Sequence, residues 1–149
     1  MTETPLHGRF EDKVFIWPVR IYYEDTDLSG IVYHANYLRY MERARTEFFR
    51  AMGLKAAYLD EADPAAWALR KVEIEYLRPA KFDDTVEVHT HLTDLSGVRL
   101  TASQSIHRGS EVLTRGAVQA CIISLSGRPK RMAPEICAKL LPFLSETVA

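Results

Sequence analysis

Cysteine is scarce in this chain. Cys121 and Cys137 are the two present, and one distant pair makes neither a disulfide framework nor a zinc-ligand spacing. A reduced, cytoplasmic setting is the simplest expectation. Charge of one sign is missing as well: 19 lysines and arginines face 20 acidic residues. No basic excess points to nucleic acid, and no basic amphipathic tract points to a membrane surface. No apolar run approaches the ~20 residues of a membrane-spanning helix. The opening MTETPLHGRFEDK is polar and lacks the apolar centre of a secretory leader. There is no glycine-rich nucleotide loop and no G-x-S-x-G, so nucleotide-dependent chemistry and serine hydrolysis are unsupported.

What is present suits one domain. The 149 residues are 47% hydrophobic, enough for a real core. Residues 1–13 read as a flexible tail and 14–149 as the domain. Val14 to Tyr23 is rich in β-branched and aromatic residues and reads as a strand, with Pro18 demoting its first half to an edge or bulge. Apolar residues then fall at Tyr37, Met41, Ala44, Phe48 and Met52, a helical stripe opposed by Arg39, Glu42, Arg43, Glu47 and Arg50. Asn36 is the expected N-cap and Gly53 the expected C-terminal stop. Leu54 to Pro64 reads as a polar connection with at most one helical turn.

Four more strands follow. Ala66 to Leu77 alternates, with Val72, Ile74 and Tyr76 on one face, and is expected to be half buried. Phe82 to Leu95 places Val86, Val88, Thr90 and Leu92 together. Val98 to His107 follows a Ser96-Gly97 turn. Glu111 to Leu125 carries Gly116 as a bulge or close-contact point. A last helix, Pro134 to Leu144, starts with proline at N1. Tight turns require antiparallel neighbours, and one long helix must bury its stripe on a sheet face. The fold class is therefore α+β.

Chemistry concentrates between Tyr22 and Phe49. Glu24, Asp25 and Asp27 precede Gly30, where the backbone can turn at positive φ. Tyr33-His34-Ala35-Asn36 leads into the helix, whose free N–H groups and dipole favour negative charge. A carboxylate that can act as base or nucleophile thus adjoins donors that can steady an oxyanion. Glu24 and Asp25 are expected to be solvated or strand-capping. Tyr33, Tyr37 and Tyr40 either line a pocket or fill core. His89 and His91 share a strand face but lack a third ligand, so no metal is expected.

Asp25-Thr26-Asp27-x-x-Gly30-Ile31-Val32-Tyr33-His34-Ala35-Asn36-Tyr37, followed by Arg43-Ala44-Arg45-Thr46-Glu47, closely resembles the signature of hotdog-fold acyl-CoA thioesterases. It is most similar to the Tol–Pal-associated bacterial branch of the 4-hydroxybenzoyl-CoA thioesterase family. Tyr76-Leu77-Arg78-Pro79-Ala80, Asp83-Asp84-Thr85-Val86 and Gly127-Arg128-Pro129 match more weakly, and the likeness runs from about Val19 to Pro134. The resemblance implies a long central helix wrapped by a curved five-stranded antiparallel sheet. It implies a homodimer or dimer of dimers with sites between subunits, and no cofactor. It implies that Asp27 and His34 are catalytic, with Gly30, Tyr33, His34 and Ala35 lining the site and its oxyanion donor.

A thioester needs an attacking oxygen and a home for the carbonyl charge. Asp27 can attack directly or activate water, and one preorganised N–H donor contributes about 3 kcal/mol in the transition state. Arg128, Lys130 and Arg131 form the best cluster for the phosphates of coenzyme A. The expected substrate is an acyl-CoA, with acyl carrier protein thioesters also open. Glu42 is a minor candidate, because another hotdog branch uses a helical glutamate; pairing with Arg39 or Arg45 is its ordinary role. Two rival functions remain: a hotdog hydratase or dehydratase using His34, which leaves the Asp27 loop unexplained, and a non-catalytic acyl-thioester-binding protein, which needs no attacking group.

Overall fold

The apolar stripe between Tyr37 and Met52 makes one helix, and every long strand is placed by the need to cover it. The computed structural model describes residues 7–55, 57–59 and 61–145. In chain order the strands are β1 (Arg9–Glu11), β2 (Val14–Arg20), β3 (Ala57–Tyr58), β4 (Ala65–Tyr76), β5 (Thr85–Leu95), β6 (Arg99–Arg108), β7 (Glu111–Ser124) and β8 (Pro129–Lys130). The helices are α1 (His34–Ala51) and α2 (Pro134–Leu140), the latter continued by a 3-10 turn, Leu141–Phe143. These strands pair antiparallel with one another, in the order β1-β2-β5-β6-β7-β4-β3. β8 pairs with β7 beyond the end of β6. The five long strands are the five expected from sequence, and the α+β class stands.

The core has two parts. Around the first half of α1, Tyr37, Tyr40, Met41 and Ala44 meet Val86, Val88 and Ile106. Around the second half, Phe48 and Phe49 meet Phe15, Leu92, Leu100 and Leu140. The expected face of β5 is the one buried: Val86, Val88, Thr90 and Leu92 are all sealed. Between the two parts Gln104 donates to the Met41 carbonyl at 3.0 Å and to Thr90 Oγ1 at 2.9 Å, while accepting from Arg45 at 2.9 Å. A buried amide thereby spends its hydrogen bonds on helix and sheet together.

Several expectations need correction. Residues 9–13 are not a flexible tail, because β1 pairs with β2 and Phe10 packs on Phe15 and Phe143 at 5.0 and 4.8 Å; residues 1–6 lie outside the described residues. β1 covers the first half of β2, so the open edge at Pro18 belongs to the second half. The described part of the 54–64 connection holds β3 rather than a helical turn. In the second half of β4 the expected face is only partly buried: Ile74 packs on the α1 core, whereas Val72 and Tyr76 are 38% and 44% exposed in the single chain. α1 reaches β4 through Phe49 stacked on Trp67 at 5.3 Å and Tyr37 against Tyr76 at 5.4 Å, while on its outer edge β3 pairs only with Ala65 and Ala66. Gly116 makes a close contact and no bulge: an added Cβ would lie 2.3 Å from the Glu73 carbonyl oxygen of β4.

Candidate active site

The site is built by a loop that leaves β2 and crosses to the β4 side, where α1 begins. A 3-10 turn, Tyr23–Asp25, opens it. Asp25 points inward, where its Oδ2 accepts from the Tyr22 N–H at 2.7 Å and its Oδ1 from Asn36 Nδ2 at 2.9 Å. Asp25 is therefore buried, neither solvated nor capping a strand. Asn36 is not the N-cap either. Tyr33 holds that position and α1 starts at His34. The loop backbone already fixes the helix entry, through Tyr33 N to Asp25 O and Val32 N to Ala80 O, both at 2.9 Å. The Asn36 amide is thus left to satisfy a buried carboxylate, which needs donors more than an exposed helix end does.

Asp27 lies two residues further on and is exposed in the single chain. Its Oδ1 accepts from the Ser29 N–H at 2.8 Å and from the Ser29 hydroxyl. Gly30 closes the turn at φ +80°, donating to the Asp27 carbonyl at 3.0 Å. The Cβ of another residue would meet no atom at Gly30, so it is the backbone angle that favours glycine. The two Ser29 donors hold the Asp27 carboxyl below the usual carboxylate range, and nearby His34 adds to the effect. Asp27 Oδ2 has no partner among the described residues, so one oxygen is anchored and the other is available.

His34 is also exposed. Its ring packs on Tyr33, with centroids 4.4 Å apart, and its carbonyl accepts from the Tyr76 hydroxyl at 2.8 Å. The N–H groups of His34 and Ala35 have no acceptor among the described residues, and they stand at the positive end of the α1 dipole. Asp27 and Gly30 line an open depression of about 590 Å³ with Tyr23, Thr26, Leu28 and Phe82. Of the three tyrosines, Tyr37 and Tyr40 are core and Tyr33 is exposed. Burial and the neighbouring Asp25 charge push the Tyr40 phenol up. Glu42 is exposed and accepts from Thr46 at 3.2 Å.

The proposed phosphate cluster is elsewhere in the chain. α1 has 18 residues and at ~1.5 Å per residue spans about 27 Å. Arg128, Lys130 and Arg131 lie at its far end, after the close of β7. Lys130 contacts the Asp63 carboxylate at 2.5 Å, and with Arg131 it lines a cavity of about 570 Å³ beside Leu54 and Ile136. A single chain therefore does not bring these cations to Asp27. Three supporting residues escape a reading for reactive groups: Ser29, Asn36 and Tyr76. Ser29 had a signal, since Asp-x-Ser is a turn in which a carboxylate accepts from the residue two positions on. The contacts of Asn36 and Tyr76 depend on the fold.

An antiparallel sheet curled on one long helix, with a carboxylate loop at the start of that helix, defines a hotdog-fold domain. The chain belongs to the thioesterase-like superfamily, whose model matches residues 22–140. It is 38% identical over 128 residues to the acyl-CoA thioester hydrolase YbgC of Escherichia coli O6:H1, covering 85% of this chain and 95% of the relative. The acyl-CoA thioesterase YbgC of Haemophilus influenzae is 37% identical over 122 residues, covering 82% and 89%. A crystal structure of a probable thioesterase from Bartonella henselae matches with a TM-score of 0.76 and 35% identity, over 79% of this chain and 98% of that one. The family resemblance drawn from the Asp25–Tyr37 stretch is borne out.

Proposed function

We propose that this chain hydrolyses an acyl-CoA thioester to a carboxylic acid and free coenzyme A, with Asp27 carrying the reaction. The family and its named relatives support thioester hydrolysis. The observation that carries the site assignment is local: an ionised Asp27, anchored through one oxygen by Ser29, sits in the loop that ends at two unsatisfied helix N–H groups. The acyl carbonyl lies between them. Asp27 Oδ2 attacks its carbon or takes a proton from an attacking water, and the N–H groups of His34 and Ala35 receive the oxyanion. The sulfur leaves as the thiolate of coenzyme A and is protonated. Water supplies the oxygen of the acid, and Asp27 is returned as carboxylate. No cofactor enters.

A second copy completes the site. In the single chain Asp27, Tyr33 and His34 are exposed, whereas an oxyanion site works best with water excluded. The edge of β4 beyond Ala66 has no strand beside it among the described residues, and Leu69, Val72 and Tyr76 on it are exposed. Tyr76 also touches the His34 carbonyl, so a copy docked there adjoins the site. The two cysteines are free and no described helix is long and apolar enough to cross a membrane, which fits work in the cytoplasm.

The test is thiol release from a panel of acyl-CoA thioesters by the wild type and Asp27→Asn. The substitution keeps the size of the side chain and its acceptor to Ser29. Turnover should fall by at least about a hundredfold, in line with loss of a nucleophile or general base, at unchanged melting temperature. Near-normal hydrolysis by the folded variant would remove Asp27 from the mechanism.

A further inference from the structure

Resting on the thioesterase reading, we infer that Tyr23 and Phe82 form an aromatic platform that grips the coenzyme arm of the substrate rather than its acyl arm. Both rings are held out in solvent, Tyr23 79% and Phe82 56% exposed, and they meet edge to face at 6.2 Å. Large exposed aromatics are ordinary when scattered singly. These two, with the exposed Leu28, line the same depression as Asp27.

Phe82 is also fixed where it stands. The next residue, Asp83, has φ +72°, a backbone conformation unfavourable to a side-chain-bearing residue. The turn around it is tied on each side. Asp83 N donates to the Ile21 carbonyl at 3.0 Å, and the Asp84 carboxylate accepts from Lys81 N at 2.9 Å and from Arg108 at 2.7 Å. Tyr23 is carried by the 3-10 turn that the buried Asp25 pins through Tyr22. A strained, braced turn that presents an aromatic ring to solvent beside a reactive carboxylate has the form of a preorganised contact.

Direction selects the arm. A thioester bound at Asp27 leaves the carbonyl two ways. One way passes Tyr33, His34 and Tyr76 toward the β4 edge, the side a second copy would close. The other passes Leu28 to Tyr23 and Phe82. These follow β2 and precede β5, strands separated from β4 by β6 and β7, so that side stays open. The acyl group gains from enclosure, whereas the coenzyme arm is long and polar and must end in water. Its flat purine and its pantetheine chain match an open aromatic platform.

The experiment compares one acyl group on two thiols: coenzyme A, and N-acetylcysteamine, which lacks everything beyond the first amide. For each of Tyr23→Ala and Phe82→Ala, the ratio of kcat/KM for the coenzyme A thioester to that for the N-acetylcysteamine thioester should fall about tenfold, the scale of losing one stacking ring. Phe82→Tyr, which keeps a ring, should hold the wild-type ratio. An unchanged ratio in both alanine variants overturns the platform, whether the two substrates fall together or neither falls. The thioesterase reading fails separately, if the wild type releases thiol from neither thioester.

Discussion

Ser29 sets the working state of Asp27. Its hydroxyl and N–H both donate to Asp27 Oδ1, favouring the anion and moving the carboxyl pKa down. The sign for activity follows. A base or nucleophile with a lowered pKa stays ionised as the pH falls through the ordinary carboxylate range, near ~3.9. Ser29→Ala removes the hydroxyl donor, lets the pKa rise, and should shift the acid limb of a kcat/KM profile to higher pH. An unmoved limb would mean that another group controls it. The same lowering does not select the route. Lower basicity weakens a carboxylate as proton acceptor and as nucleophile alike, so oxygen tracing rather than the pKa separates the two routes. A single turnover in ¹⁸O-water, with enzyme in excess, gives unlabelled acid when Asp27 forms a mixed anhydride and water opens it at the Asp27 carbonyl, breaking the Asp27 C–O bond. Labelled acid in that turnover would mean that water attacks the acyl carbon, whether of the thioester or of that anhydride.

At the scale of elements, the helix entry and the β4–β7 contact can each be tested by one substitution. Asn36→Ala deprives the buried Asp25 carboxylate of a donor, which should cost about 1–3 kcal/mol and appear as a lower urea midpoint. Gly116→Ala drives a methyl group against the β4 backbone. It should destabilise by about 1–3 kcal/mol, more than alanine at an ordinary strand glycine, where it normally helps. Equal stability in either variant would contradict the packing described. These elements also mark where the sequence was legible. β5 was read correctly because four buried residues alternate along one covered strand. β4 alternates as well, but alternation says which residues share a face and not whether anything covers it. β1, β3 and β8 have two or three residues each, too few for a period, and exist because a longer neighbour pairs with them. The Asp27 loop was legible as a cluster of polar groups because they are close in sequence. The inward turn of Asp25 and the separation of Arg128, Lys130 and Arg131 from Asp27 depend on where the chain returns in space.

For the whole molecule, one chain carries Asp27, the proposed catalytic carboxylate, in the open and a partly uncovered apolar strand edge next to it. Val72 and Tyr76 of β4 alternate with Lys71, Glu73 and Glu75, and among the described residues no strand pairs with its outer edge from Trp67 onward. Under the proposed dimer, antiparallel pairing of the edge with its own copy is two-fold, so one contact would close both sites at once. Val72→Asp should therefore act on assembly more than on the fold, since Val72 is 38% exposed in the single chain. A carboxylate there would be buried in the seam without a partner, which is unfavourable. Sedimentation velocity should show the variant shifted to monomer. Thiol release should fall in step with the dimer fraction and recover as protein concentration rises, although the Asp27 loop is untouched. A Val72→Asp monomer that cleaves acyl-CoA at the wild-type rate would show that one chain suffices, and that the open β4 edge serves some purpose other than closing the site.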